Sequence, residues 1–405
     1  MLVVVALFDI FQQAPVPADK WNDDIFDASK AAQPCVQFEV FSKMVVGSED
    51  CLYLNVYSPR PPSSITSPKA VMVFFHGGGF VRGSALPTSF PADYLINYDV
   101  ILVTVAYRLH ALGFLNMGTA NNDGNCGLRD QLLGLQWVQK NIQKFGGDPN
   151  NVTIFGESAG ASSVHFHMLS PLSKEHPREL IKKATPVPVV VGLNNKEGRL
   201  AFFGDITDNV LQSLEDSIDS LVAHGMKLEF VKSPRVCNHV KKFYFKDKPT
   251  KEEIADLYTD MFFRNFYEAF DFVTTSTFPV YVYEFSFYGH FNWYTKTLMR
   301  DPSITSGAAH ADELPYLFYR ERYVEGVDFA EPELTVINNM CTMWTNFAKT
   351  GNPTSTGMNC EWKPSTSDAP CYLQIDSDLK LLEGKVLSKR MDFWNALSKT
   401  ASNEE

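Results

Sequence analysis

Val152-Thr-Ile-Phe-Gly-Glu-Ser-Ala-Gly160 opens as a short run of β-branched and aromatic residues and closes in a cluster of small ones. The first half suits a buried strand, and the small residues beyond Gly160 suit the start of a helix. Between them lies Gly156-x-Ser158-x-Gly160, the pattern of a strand-to-helix elbow too tight for side chains two positions either side of the serine. Such a turn lifts the Ser158 hydroxyl above the sheet edge and aims the positive end of the following helix at it. The same pattern also describes an ordinary strand-to-helix connection, so its meaning rests on what surrounds it.

Upstream, His76-Gly77-Gly78-Gly79-Phe80 follows the apolar run Val71-Met-Val-Phe-Phe75. Acyl transfer passes through a tetrahedral oxyanion, which is stabilised by preorganised backbone N–H groups that no side chain obstructs. Consecutive glycines supply such groups. Gly78 and Gly79 are assigned as donors, with the amide of Ala159 as the third. A triple glycine also serves as a flexible turn or a phosphate nest. Here it is followed by no Gly-Lys-Ser or Gly-Lys-Thr, and no G-x-G-x-x-G of a dinucleotide unit is completed.

Further strands are read at Leu52–Tyr57, Val100–Ala106, Val187–Val191 and Val280–Phe285. Leu128 to Phe145 carries apolar residues at helical spacing and stops at Gly146-Gly147, and helical patterns recur around 206–223, 251–270 and 334–349. Strand, helix, strand in this order predicts right-handed crossovers between parallel neighbours, hence an α/β protein with a mostly parallel central sheet. With an elbow serine, the acid and the histidine follow in that order on loops after later strands. Glu197, in Gly192-Leu-Asn-Asn-Lys-Glu-Gly198 after the strand at Val187, is the acid candidate; it also reads as a solvated turn residue. His165 and His167 lie within the helix leaving the elbow and are poor bases. Position alone favours His290, just after the strand at Val280, with His310 on a longer excursion from the same strand.

The chain has 405 residues, which an α/β enzyme accommodates as one domain, and residues 1–405 are read so with 1–10 unassigned. Its formal charge of -11, without a cluster of Lys and Arg, argues against nucleic acid. No run approaches the roughly 18 to 20 apolar residues of a membrane span. Met1–Phe8 is apolar but lacks a basic start and meets Asp9 early, so an intracellular location is favoured, or an extracellular one if the natural chain begins further upstream. Seven cysteines show no C-x-x-C and no metal-ligand spacing; Cys35 with Cys51 and Cys360 with Cys371 can close small loops in an oxidising compartment. Asn151-Val-Thr153 reads as the entry to a buried strand rather than a glycan site.

With these residues in place the chain resembles the type-B carboxylesterases of the carboxylesterase/cholinesterase family, closest to the insect α-esterases. The resemblance rests on Gly47–Tyr57, His76–Phe80, Tyr107-Arg-Leu-x-Ala-Leu-Gly-Phe-Leu115, Gly124–Asp130 and Asn141–Gly160. It continues through Gly192–Gly198, Gly307-Ala-Ala-His-Ala-Asp-Glu-Leu314 and Trp344–Pro353. It implies an α/β-hydrolase fold and hydrolysis of small-molecule carboxylic esters without metal or organic cofactor. It also implies Glu197 as the acid, His310 rather than His290 as the general base, and a Cys35–Cys51 disulfide.

Departures from the family pattern carry their own expectations. The Cys35–Cys51 loop contains no Trp, so an aromatic choline site is missing and acetylcholine is an unlikely substrate. Glu157 stands where juvenile-hormone esterases typically carry Gln, which tilts against that assignment, and Cys126 stands where relatives usually have Ala. Residues from about Phe11 onward match a region that in the family follows a β-rich start, with Met1–Phe8 unrelated. Between Ser170–Lys174 and Glu175–Leu180 a long family segment is missing, including a strand between the Ser-bearing and Glu-bearing strands. Its loss leaves a gap in the sheet or forces those strands to close up. The alternative to an active esterase is therefore an impaired ester-binding relative or a truncated isoform.

Overall fold

The computed structural model describes residues 2–6, 14–18, 28–39, 42–118, 124–170, 187–202, 234–246, 249–261, 278–299, 304–319 and 331–401. Its contacts cluster in two compact units: Met1–Thr185 with Tyr316–Glu325 and Ile337–Ser355, and Pro186–Pro315 with Gly326–Val336 and Thr356–Glu405.

The first unit is built on a five-stranded sheet of β1 (Leu2–Ala6), β4 (Tyr53–Tyr57), β6 (Ile101–Val105), β5 (Lys69–Phe75) and β7 (Gly147–Gly156), in that spatial order. β5 runs parallel to both β6 and β7, while β4 pairs antiparallel with β6 and with β1. Alternate residues Val71, Val73, Phe75, Ile101, Val103 and Val105 form one core with Val138 and Ile142 of the helical segment behind them. On the opposite face Phe74 packs against Phe90, Phe155 and Phe318 at ring separations of 4.6 to 5.0 Å. Burial on both faces accounts for the nearly continuous apolar runs of β5 and β6, in which Thr104 is the buried polar exception of β6.

Two sequence expectations change here. The chain passes from β6 through the helix Cys126–Asn141 to β7, and these strands are not neighbours, because β5 lies between them. Leu2–Ala6, left unassigned from sequence, is a strand in register with β4, Leu2 opposite Tyr57 and Ala6 opposite Tyr53. A small hairpin, β2 (Gln37–Glu39) with β3 (Met44–Val46), completes the strands of this unit among the described residues. It lies inside the loop closed by the Cys35–Cys51 disulfide, whose Cα atoms are 4.9 Å apart.

The second unit holds a four-stranded sheet in the order β11 (Leu379–Glu383), β10 (Cys371–Ile375), β9 (Val280–Phe285), β8 (Val189–Asn194). β8, β9 and β10 are parallel and β11 returns antiparallel, so the sheets are parallel inside and mixed at the margins. Among the described residues β7 ends one sheet and β8 ends the other. A core of Val236, Val240, Ile254, Leu257, Tyr258 and Trp394 joins the helices Pro234–Tyr244, 251–261 and Ser388–Ala401. The helical pattern at 206–223, and the end of the one at 251–270, lie outside the described residues. Cys360 and Cys371 are separate thiols, the latter beside the Lys363 and Pro364 carbonyls, so that pairing is not formed. No helix among the described residues is long and apolar enough to cross a membrane, and none of their His, Cys, Asp and Glu side chains cluster as a metal site.

Candidate active site

β7 ends at Gly156, and two residues later Ser158 takes φ 56° and ψ −122°, a conformation costly for any residue with a Cβ. The helix Ala159–Leu169 begins at once: Ser162 N donates to the Ser158 carbonyl at 3.0 Å and Gly160 N to Glu157 O at 2.8 Å. Both flanking glycines are required. A Cβ on Gly160 would press into the Phe75 carbonyl, and one on Gly156 would sit 2.7 Å from that oxygen. The serine thus stands at the amino end of an eleven-residue helix, whose dipole favours negative charge there.

The glycine segment runs alongside. A Cβ on Gly77 would lie 2.9 Å from Ser158 Cβ and collide with the Glu157 carboxylate, so the two chains touch backbone to backbone. Gly78 and Gly79 have φ of +106° and +65°, and the Gly78 carbonyl accepts from both Val81 and Arg82 N at 3.1 Å. Beneath them His76 is buried, its ring stacked on Tyr107 at 4.3 Å, and the Tyr107 hydroxyl donates to the His76 carbonyl at 2.7 Å. No sequence signal announces this support, which depends on a residue thirty-one positions away.

His167 is committed to the core: its Nε2 meets Gln131 Oε1 at 3.0 Å, and Gln131 donates to Ser163 Oγ at the same distance. Burial lowers the pKa of both His76 and His167 from 6.5 to about 4. Each is therefore neutral when folded but protonated below 6.5 when unfolded, so the unfolded state binds more protons between pH 6.5 and 4. Stability is lost as pH falls through that window, by on the order of 3 kcal/mol per histidine. Hydrogen exchange in β5 to β7 should accelerate from pH 6.5 to 4.5 after correction for intrinsic rates; a flat profile would contradict buried, neutral imidazoles.

In the second unit β8 runs into the turn that carries Glu197, which is 5% exposed. His310 Nδ1 meets Glu197 Oε2 at 2.6 Å, and the other carboxylate oxygen accepts from Asn194 N at 2.8 Å. A carboxylate fixed at both oxygens holds the imidazole in the tautomer that leaves Nε2 as the acceptor. His290, favoured by position alone, is instead exposed on its loop, where its backbone N donates to Glu333 at 3.2 Å. The His310 segment is stapled to the Glu197 segment by residues that sequence reasoning had quoted but not assigned. Asn194 Nδ2 donates to the Ala309 carbonyl at 2.6 Å and to Glu313 at 2.5 Å. Asp312 accepts from Ala309 N at 2.8 Å, Tyr294 N at 2.7 Å and Thr295 Oγ1 at 2.5 Å, and burial raises its pKa to about 6 against these donors. The only sequence signal was their place inside the two quoted motifs.

The carboxylesterase family model matches residues 11–176 and 172–394, two pieces that meet just after the elbow helix. Juvenile hormone esterase of Tribolium castaneum is 47% identical over 168 residues, covering 41% of this chain and 28% of that protein. Esterase E4 of Myzus persicae is 28% identical over 441 residues, covering 84% of this chain and 79% of that one. The structure of juvenile hormone esterase from Manduca sexta matches with a TM-score of 0.77 at 22% identity, covering 97% of this chain and 94% of that one. A PNB esterase structure matches with a TM-score of 0.74 at 23% identity over 95% and 92% of the chains, so the α/β-hydrolase fold is shared with both. The chain belongs to the carboxylesterase family.

Proposed function

We propose that this protein hydrolyses small-molecule carboxylic esters through an acyl-enzyme on Ser158. His310 takes the Ser158 proton as the hydroxyl attacks the ester carbonyl, and Glu197 stabilises the resulting imidazolium. The amides of Gly78, Gly79 and Ala159 receive the oxyanion. His310 then protonates the leaving alcohol, and water attacks the acyl-enzyme by the reverse sequence. No metal or organic cofactor enters these steps. The observation that carries the reading is the 2.6 Å bond between His310 and Glu197, because an imidazole so oriented is what makes a serine hydroxyl nucleophilic.

A specific observation favours a second reading, a shortened isoform impaired in catalysis. The alignment with esterase E4 runs over 441 residues against the 405 of this chain, which supports a gap within it. The family match comes in two pieces that overlap at 172–176, beside the gap proposed after Lys174. Treatment with a phosphorylating organophosphate separates the two, because only an activated serine reacts fast. Labelling on Ser158, seen as a mass increase on its peptide, is the expected result. A folded chain that stays unlabelled would leave the impaired isoform standing.

A further inference from the structure

Arg199 follows Glu197 by two residues in the same turn, and its side chain is 1% exposed. Its Nη1 donates to the Gly307 carbonyl at 3.2 Å and its Nη2 to the Ser306 carbonyl at 2.8 Å. The same Nη2 donates to both Glu252 oxygens, at 2.9 and 3.0 Å. Two consecutive carbonyls, on the residues three and four before His310, are thus gripped by one planar group. The grip is close. Gly307 has φ +76°, and a Cβ there would lie 2.8 Å from Lys196 Cγ. Ala308 then exchanges hydrogen bonds with the Glu197 loop: its carbonyl accepts from Lys196 N at 3.0 Å and its N donates to Asn195 Oδ1 at 2.9 Å.

We infer that Arg199 is a positioning residue for the base, fixing the approach of the His310 loop so that Nδ1 meets Glu197. The inference rests on the reading of His310 and Glu197 given above. A guanidinium holds its donors in a rigid fork, so it sets both the distance and the tilt of the peptide planes it grips. Asp312 fixes the same segment from the other side through Ala309 N, leaving His310 between two anchors. Glu252, whose side chain is 44% exposed, orients the arginine from the solvent side.

The test compares Arg199→Met, Arg199→Lys and Glu252→Gln with the unaltered chain. The first readout is the low-field proton resonance of His310 Nδ1–H, assigned by its loss in His310→Gln. The second is kcat and KM for a nitrophenyl ester, and melting temperature serves as the control for folding. Arg199→Met should shift or broaden the resonance and lower kcat by about 10- to 100-fold with KM changed less than about threefold. Arg199→Lys keeps the charge but not the fork and should behave alike. Glu252→Gln keeps an acceptor for the arginine and should change kcat by less than about threefold. An unshifted resonance and unchanged kcat in either folded Arg199 variant would overturn the inference, and so would a Glu252→Gln loss equal to that of Arg199→Met. If Arg199→Met fails to fold, Arg199→Lys decides by the same resonance. A wild-type chain with the resonance but no hydrolysis would defeat the proposed function while leaving the positioning role testable by its shift. A folded wild-type chain without the resonance would overturn both.

Discussion

Hydrolysis of a short-chain nitrophenyl ester is expected to fall by about 10⁶-fold in Ser158→Ala and in His310→Gln, and by about 10⁴-fold in Glu197→Gln. Serine and histidine act as one unit, since a hydroxyl without its base is a weak nucleophile and a base without the hydroxyl has nothing to activate. The double variant Ser158→Ala with His310→Gln should therefore be no slower than either single one. In the proposed mechanism Glu197 works one step removed. A glutamine still holds the ring by a hydrogen bond but can no longer stabilise the imidazolium by charge. Residual catalysis in all of them would come from Gly78, Gly79 and Ala159, which none of the changes touches. Equal rates for the unaltered chain and Ser158→Ala would remove Ser158 as the nucleophile.

The largest expected loss of stability lies elsewhere, at Asp130. Arg108 and Asp130 are 3% and 0% exposed, and their side chains meet through two hydrogen bonds of 2.8 and 2.6 Å. Asp130 also accepts from Arg108 N at 3.0 Å, so one carboxylate ties the segment after β6 to the first turns of the helix Cys126–Asn141. Removing the carboxylate takes away the buried counter-charge of the guanidinium and three of its hydrogen bonds to Arg108. Asp130→Ala should cost about 3–5 kcal/mol, read as a lower denaturant midpoint. Replacing both by apolar residues of similar volume, Arg108→Met with Asp130→Leu, should cost distinctly less, because no charge is then left buried. A single-variant loss below about 1 kcal/mol would show that solvent reaches the pair.

Much of this was legible before any coordinates, for reasons that differ by residue. The runs Val71–Phe75 and Ile101–Val105 announce strands because burial on both faces favours a nearly continuous apolar sequence. Gly156 and Gly160 announce the elbow because a missing side chain is visible in sequence wherever sterics require it. The choice of His310 over His290 is not available from spacing, since both follow the same strand; it comes from the resemblance, and His310 is hydrogen-bonded to Glu197. Asn194, Asp312 and Arg199 were overlooked because most of their partners lie in distant segments, and polar loop residues carry no periodicity that would announce them. Leu2–Ala6 is a different case. Its three consecutive valines are a strand signal, in a stretch weighed only as a leader and left unassigned.

The backbone angles of Ser158 bear on how such a chain changes over generations. At φ 56° and ψ −122° the peptide would rest more easily as glycine, by on the order of 1–3 kcal/mol. Selection for hydrolysis and selection for a durable fold therefore pull this codon in opposite directions. A lineage that abandoned ester cleavage while keeping the scaffold would drift toward glycine here sooner than at Glu197 or His310, where the backbone gains nothing from the exchange.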